Sequence, residues 1–280
     1  MRLRKDVNVY IYDPSKRFFH VVVELKNLPG ALYKLLGVLR DLDLNILGSF
    51  SSAESSSKVG VWSGFVEDSN HTASELRKRI LSSEYVTDAT VVESTDGFLI
   101  DGIHFPLSWN SGDRAFMGRA KYIARMLRAV RNEFGTGGEK IIYDEGFAFG
   151  KDTWSEMTAR IGTGFARAHL QDVLRFYQAE GWFKLESVDK DERGGVLAIR
   201  VGESFECMGA ARHGHYSQFV RGHLAGALSA ILGAEMECEE TKCIGAEDES
   251  CEFLLMPKQH RKELVGPATA PVSAQVPGRS

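Results

Sequence analysis

The sequence predicts an α+β protein with two domains. The chain has 280 residues, a length that favours two domains as a prior. Strand and helix patterns alternate in the order βαββαβ over roughly the first hundred residues, whereas longer helical patterns follow. Apolar residues make up 43% and charged residues 26%, which is typical of a globular protein.

The charge and the cysteine content narrow the class of protein. The net charge is −4, so the sequence lacks the basic surface expected of a nucleic-acid-binding protein. No stretch approaches the roughly 18 apolar residues of a membrane span. The basic opening MRLRKD is not followed by an apolar segment, and we therefore expect a cytoplasmic protein with reduced cysteines.

The first predicted domain, residues 1–97, has a ferredoxin-like arrangement. FFHVVVELKN is typical of a buried strand, and ALYKLLGVLRDLDL has the leucine spacing of a helix. NILGSFSSA and KVGVWSGFVED predict two further strands, and VTDATVVES predicts the last one. Between them, TASELRKRILSS predicts a helix in which Thr72 and Glu75 have capping-box spacing. The order is therefore βαββαβ.

The stretch VELKNLPGALYKLLGVLRDLDLNI resembles the start of an ACT domain, a small regulatory module that senses amino acids. The resemblance implies an amino-acid ligand in the loop before the first helix, where exposed amides suit a carboxylate. The matching positions are Asn27, Leu28, Gly30 and Ala31. Alternatively, this loop only makes a turn, and the domain serves to form dimers through its sheet or helices.

The second predicted domain spans residues 103–256. MGRAKYIARMLRAVRNEF predicts a helix that ends at the glycine-rich GTGGEK, and a second helical tract is predicted from Thr153. Two strands, GWFKLESV and GVLAIRVGESF, precede a helix over 217–233 and a final hairpin of MECEETKC and CEFLLM. The tail, 257–280, is predicted to be mostly disordered.

The helix over 217–233 is rich in small residues, among them Gly222, Ala225 and Gly226. Small side chains allow close approach by another helix, a strand or a ligand. Tight packing in the protein core explains the same pattern.

The stretch EETKCIGAEDESCEF contains a candidate metal site. Glu240 and Cys243 are three residues apart, and Cys251 follows after seven more, with Gly245 available for a sharp turn in the loop. Thiolates and a carboxylate suit zinc, which takes four ligands in most structural sites. Alternatively, the two cysteines are buried apolar residues or a cross-strand pair.

GHLAGALSAILG followed by EETKCIGAEDESCEF closely resembles the end of the V4R domain, a family named after a vinyl reductase. The resemblance implies an α/β small-molecule-binding fold and a sensory role, as in the phenol-responsive bacterial transcription activators. It also implies a structural zinc ion, with three of its ligands at Glu240, Cys243 and Cys251.

The fourth ligand implied by this resemblance does not carry over. The family often has its first cysteine at the position of Ser217, and a serine hydroxyl is a poor zinc ligand. We take His215 as the candidate, because it immediately precedes the helix. Cys207, Cys238, a water molecule, or no metal at all are the alternatives.

The V4R resemblance further implies an apolar ligand pocket between the helices and the sheet. The candidate lining residues are Trp154, Phe165, Tyr177, Phe219 and His223. Histidine suits a hydrogen bond to a phenolic or carboxylate ligand. Each of these side chains is equally compatible with ordinary core packing.

The sequence lacks the phosphate-loop, dinucleotide and hydrolase motifs that would indicate an enzyme. Together with this lack, the two resemblances to ligand-binding families imply a sensory or regulatory protein that binds small molecules, forms a homodimer and acts through a downstream protein partner. One alternative is an enzyme or accessory protein in tetrapyrrole metabolism or vinyl reduction. The other is a dimerisation scaffold without a ligand.

Overall fold

The computed structural model describes residues 5–54, 56–109, 112–190, 195–210 and 214–259. The chain divides into two compact units, Met1–Phe116 and Met117–Ser280. Most of the tail predicted to be disordered, from 260 onward, lies outside the described residues, as do 191–194 of the predicted charged turn.

The first unit contains a four-stranded antiparallel sheet with two helices. Its main elements are β1 (Tyr10–Tyr12), β2 (Phe18–Lys26), α1 (Ala31–Asp41), β3 (Asn45–Ser52), β4 (Val59–Glu67), α2 (Ala73–Leu81) and β5 (Val86–Glu93). From β2 to β5 the order of elements is the predicted βαββαβ, and the strands lie in the order β3-β4-β2-β5. The short strand β6 (Phe98–Ile100) pairs with β1, and β7 (Leu107–Ser108) pairs with β8 (Arg114–Ala115).

The central strand β2 buries side chains on both faces, which explains its nearly continuous apolar sequence. Phe19, Val21 and Val23 share one face and join the core that the leucines of α1 and α2 complete. His20 points to the other face and is 1% exposed. Helix α2 begins at the predicted capping box, in which Thr72 and Glu75 bond each other's backbone amides.

The second unit packs helices against another four-stranded antiparallel sheet. Its elements are α3 (Ala120–Ile161), α4 (Thr163–Ala168), α5 (Leu170–Ala179), β9 (Lys184–Lys190), β10 (Leu197–Gly202), α6 (Gln218–Leu232), β11 (Met236–Lys242) and β12 (Cys251–Pro257). The strand order is β11-β12-β10-β9. Helix α6 and the final antiparallel pair of strands both lie where the sequence predicts them.

Helix α3 is interrupted at one residue only. Gly135 has φ 55° and ψ −132°, a conformation outside the helical region that glycine adopts without strain. The predicted break is therefore present. The second helical tract, however, begins at 136 rather than at Thr153, because the remaining glycines of this segment fit a helical backbone.

Helices α3 and α6 are in direct backbone contact. A Cβ atom added to Gly150 would lie 2.1 Å from the carbonyl oxygen of His223, and one added to Gly226 would lie 2.0 Å from that of Phe147. Gly146 and Gly222 are equally constrained, at 2.3 and 2.1 Å from backbone oxygens. The small residues of α6 therefore serve close approach by a helix, one of the predicted explanations. Among the described residues, no helix is both long and apolar enough to cross a membrane.

Candidate functional site

Three cysteines of the second unit form a buried thiol cluster. Cys207 ends a short 3-10 turn (Phe205–Cys207), Cys243 follows β11, and Cys251 begins β12. The sulfur of Cys207 lies 3.7 Å from that of Cys243 and 3.7 Å from that of Cys251. All three Sγ atoms lie within 4.8 Å of one another, which is close enough for them to bind a single metal ion.

Backbone amides support negative charge in this thiol cluster. The amide of Tyr216 donates to the sulfur of Cys243 at 3.5 Å, and that of Ile244 donates to Cys251 at 3.4 Å. Hydrogen bonds from the Cys207 and Cys251 thiols lower the pKa of Cys243. The pKa of Cys251 is raised, first by its hydrogen bond to Cys207 and then by that to Cys243, because these bonds favour the protonated thiol. Without a cation, the cluster therefore concentrates its negative charge on Cys243.

Ser217 and Glu206 attach the thiol cluster to the start of α6. Ser217 is the N-cap residue of α6, but its side chain makes no capping hydrogen bond. Glu206 takes that role, since its carboxylate accepts from the amides of Phe219 at 3.0 Å and Val220 at 2.9 Å. Because Glu206 immediately precedes Cys207, this cap fixes the position of the first thiol.

Glu240 lies on β11 beside the thiol cluster, with its side chain only 2% exposed. Its Oε2 atom is 3.4 Å from Nδ1 of His215, and its Oε1 atom is buried without a hydrogen-bond partner. Burial and, second, the charge of Cys243 raise the pKa of Glu240 to about 8, although a hydrogen bond from Ser217 opposes the shift. Glu240 is not one of the ligand groups within 4.8 Å of one another, but an unpartnered buried carboxylate oxygen near Cys243 fits a cation ligand.

The remaining candidates occupy different places. His215 contacts Glu240, and its side chain is 44% exposed. Cys238, an alternative fourth ligand, shares the buried face of β11 with Glu240 but is not one of the three clustered thiols. Position 245 requires a glycine because the ring of Tyr216 packs closely against it: a Cβ atom there would lie 2.4 Å from that ring.

A second feature of this unit is an aromatic cage around His223, which is 2% exposed. We define the cage as the four rings whose centroids lie 4.7–6.1 Å from the imidazole: Phe149, Tyr177, Trp182 and Phe219. The structure thus brings three of the predicted lining residues together, namely Tyr177, Phe219 and His223. Trp154 contacts the cage from behind Tyr177.

A hydrogen-bond chain fixes the protons of the cage. Trp154 Nε1 donates to the hydroxyl of Tyr177 at 2.5 Å, and Nε2 of His223 lies 2.9 Å from the same hydroxyl. Because the Tyr177 hydroxyl already accepts a hydrogen bond from Trp154, its own hydrogen is available for donation to Nε2 of His223. In that arrangement the imidazole proton resides on Nδ1. That Nδ1 atom is buried and has no partner. Burial lowers the pKa of His223 to about 3, so the ring is neutral.

The cage covers the imidazole of His223, whereas Phe149 exposes about half of its own surface to solvent. Phe165, also predicted to line the pocket, lies outside it: its side chain is 52% exposed and stacks on His169. A cavity of about 10 Å³, enough for one water molecule, lies in this unit beside Glu206 and Tyr216. A polar groove of about 690 Å³ lies in the first unit, lined by residues such as Lys16 and Arg17, away from every predicted ligand residue.

Two residues of the loop predicted to bind an amino acid, Asn27 and Gly30, have structural roles within the first unit. Asn27 donates its side-chain amide to the carbonyl of Ser57 at 2.9 Å and to that of Glu54 at 3.2 Å. Gly30 is the N-cap of α1 with φ 88°, a conformation that favours glycine. Leu28 is exposed and Ala31 is buried.

Two features of the site could not be read from the sequence. The sequence offers Cys207 only as one of several alternative fourth ligands. Residue spacing does not predict that a 3-10 turn brings it beside cysteines 36 and 44 positions away. The role of Glu206 was missed altogether. The one available signal was an acidic residue next to a cysteine before a helix that lacks a good capping side chain.

The second unit is an α/β domain that combines a buried thiol cluster with an aromatic cage. The V4R domain family model matches residues 197–257, which include α6, Glu240 and all three clustered thiols. The V4R prediction is confirmed for this segment, whereas an ACT domain in the first unit is not shown. A comparison with curated proteins finds no match.

Several solved structures are similar to part of the chain. One is the phenol-responsive sensory domain of the transcription activator PoxR with phenol, at 18% identity and a TM-score of 0.40, covering 57% of this chain and 87% of that one. Another is a trafficking protein particle complex subunit 3 from Naegleria fowleri, covalently bound to palmitic acid, at 16% and 0.40, covering 50% and 95%. A vinyl-4-reductase family protein from Methanocaldococcus jannaschii gives 18% and 0.33, covering 52% and 99%.

Proposed function

We propose that the second unit is a sensory module that binds a small aromatic molecule carrying an oxygen atom. The observation that carries this proposal is the unpaired Nδ1 of His223, buried inside the aromatic cage. A buried donor without a partner costs roughly 1–3 kcal/mol, which a ligand oxygen would recover. The surrounding rings offer faces and edges to an aromatic ligand. The V4R match over residues 197–257 supports the same reading.

We infer that the thiol cluster would hold a structural zinc ion. The four proposed ligands are Cys207, Cys243 and Cys251, whose sulfur atoms lie within 4.8 Å of one another, and Glu240, whose Oε1 atom is buried without a partner. Thiolates and carboxylates both bind zinc. When bound, the ion would neutralise the thiolates and join β11, β12 and the turn before α6. This proposal replaces His215 with Cys207 as the fourth ligand, since Cys207 supplies the third thiol of the cluster.

Binding of phenol to the full chain, measured by calorimetry, tests the sensory proposal. Toluene is the matched probe, because it has the ring without the oxygen. We expect phenol to bind and His223→Phe to bind it about three- to tenfold more weakly, the range for one neutral hydrogen bond. Toluene binding should change little in that variant. Phe165→Ala, which lies outside the cage, is the control. Equal phenol affinity in the parent and His223→Phe, or no binding at all, would contradict the proposal.

For the first unit we propose an ACT-like regulatory role with amino-acid binding and homodimer formation. The βαββαβ order and the strand order β3-β4-β2-β5 support it. The edge strand β3 exposes Ile46 and Phe50, which gives a second chain an apolar surface to cover. A screen of the amino acids by thermal shift tests ligand binding, and sedimentation tests the dimer. A chain that stays monomeric and gives no shift with any amino acid would contradict this role.

A further inference from the structure

The first unit contains a second cluster of potential metal ligands, formed by His20, Asp101 and His104. One ligand atom from each residue lies within 4.8 Å of the others. His20 belongs to β2, whereas Asp101 and His104 follow β6 in the segment that lies over this face of the sheet. All three residues lie within one compact unit, separate from the thiol cluster.

Each histidine has one ring nitrogen in use and one without a partner. Nε2 of His20 lies 2.9 Å from the hydroxyl of Ser63, and Nδ1 of His104 lies 2.9 Å from Oδ2 of Asp101. The other two nitrogens, Nδ1 of His20 and Nε2 of His104, are buried with no hydrogen-bond partner. His20 has the arrangement typical of a histidine ligand, because Ser63 orients its ring through Nε2 and leaves Nδ1 for an ion. His104 would offer its Nδ1 atom, which already lies beside Asp101.

The unpartnered atoms lie in a sheltered position. His20 is 1% exposed, and its ring packs against that of Phe65 at 4.7 Å. The ring of His104 packs edge-on against Phe50 at 5.1 Å. Nδ1 of His20 lies 3.8 Å from Oδ1 of Asp101, too far for a hydrogen bond. In the tautomer in which Nε2 donates to Ser63, Nδ1 carries a lone pair, and a cation between Nδ1 and the carboxylate would stabilise both.

We propose that His20, His104 and Asp101 form a binding site for a divalent first-row transition metal ion. Two imidazoles and one carboxylate suit zinc, nickel, cobalt or iron(II) and exclude a preference for calcium or magnesium, which take oxygen ligands. Three protein ligands leave at least one coordination position for water or a small anion.

Titration of the full chain with Co²⁺, followed by absorption, tests this site separately from the thiol cluster. Thiolate-bound cobalt gives a sulfur-to-metal charge-transfer band, whereas cobalt bound by nitrogen and oxygen shows only weak visible bands. We expect the parent to bind one equivalent of Co²⁺ without the charge-transfer band. His104→Gln and Asp101→Asn should lose that equivalent and keep whatever thiolate-bound cobalt the parent has. Circular dichroism verifies that both variants fold.

His71→Gln is the matched control, because His71 also pairs with an aspartate, Asp68, at 2.9 Å but belongs to neither group of potential metal ligands found among the described residues. It should keep the equivalent of cobalt that lacks the charge-transfer band. The proposal is overturned if the parent lacks this equivalent, or if His104→Gln and Asp101→Asn bind as much as the parent. If the parent binds this equivalent of cobalt but shows no charge-transfer band at any cobalt concentration, the site proposed here is supported and metal binding by the thiol cluster is contradicted.

Discussion

The thiol of Cys207 lies 3.4 Å from the hydroxyl of Ser217. Ser217 occupies the position where the resembled V4R pattern has its first cysteine, and its hydroxyl lies 3.8 Å from Cys251. The 3-10 turn thus places a thiol from another part of the chain beside the residue that lacks one. The donor missing from the sequence pattern is supplied ten positions earlier.

We therefore expect Cys207→Ser to lower the zinc content of the purified protein from about one ion per chain to a small fraction, because it removes one of four ligands. Elemental analysis of protein prepared without chelators measures it. Cys238→Ser is the control, since this buried cysteine is not part of the thiol cluster. Equal zinc in the parent and Cys207→Ser would show that Cys207 is not a ligand.

A rescue variant tests the same relationship from the other side. Adding Ser217→Cys to Cys207→Ser returns a thiol to the cluster from the helix start, and we expect zinc binding to recover. The adjacent positions of the two side chains make the exchange sterically reasonable. If the double variant stays free of zinc while folded, the two positions are not equivalent.

Gly150→Ala should destabilise the second unit, because its Cβ would lie 2.1 Å from the carbonyl oxygen of His223. Overpacking of this kind costs about 1–3 kcal/mol in the free energy of unfolding. Denaturation by urea measures it. Gly137→Ala lies in the same helix with open space around it and should be neutral or slightly stabilising. Equal free energies of unfolding for the two variants would contradict a direct backbone contact between α3 and α6 at Gly150.

The buried His223 predicts a pH dependence of stability. Its pKa is lowered from 6.5 to about 3 in the folded protein, so between these values only the unfolded chain takes up the proton. The stabilisation from neutral His223 is therefore complete above pH 6.5 and is lost as the pH falls toward 3. Within this pH range, the contribution of His223 to the free energy of unfolding falls by up to about 1.4 kcal/mol per pH unit. His223→Gln, which does not titrate, should show a correspondingly shallower decline in urea denaturation between pH 6 and 4. Parallel curves would refute the burial of a neutral ring.

Local signals predicted the elements but not their long-range partners. The capping box of Thr72 and Glu75 and the strand alternation around Glu240 depend on near neighbours, so both could be predicted. The close partner of α6 could not be identified, because Gly146 and Gly150 have no periodic apolar signal of their own. Cys207 joins the thiol cluster only because the folded chain brings distant residues together, and residue spacing in the sequence does not predict such a contact. Helix α3 is longer than predicted, because the glycine-rich GTGGEK indicates a break of several residues whereas only Gly135 leaves the helical conformation.

The glycine contact between α3 and α6 also decides how the aromatic cage can open. Phe149 belongs to α3, and Phe219 and His223 belong to α6. At Gly146, Gly150, Gly222 and Gly226 the backbones of the two helices touch, so we expect these helices to resist sliding past each other. Tyr177 lies on α5, and Trp182 lies in the segment between α5 and β9. We therefore expect a guest molecule to be admitted by movement of Tyr177 and Trp182 rather than by separation of α3 and α6.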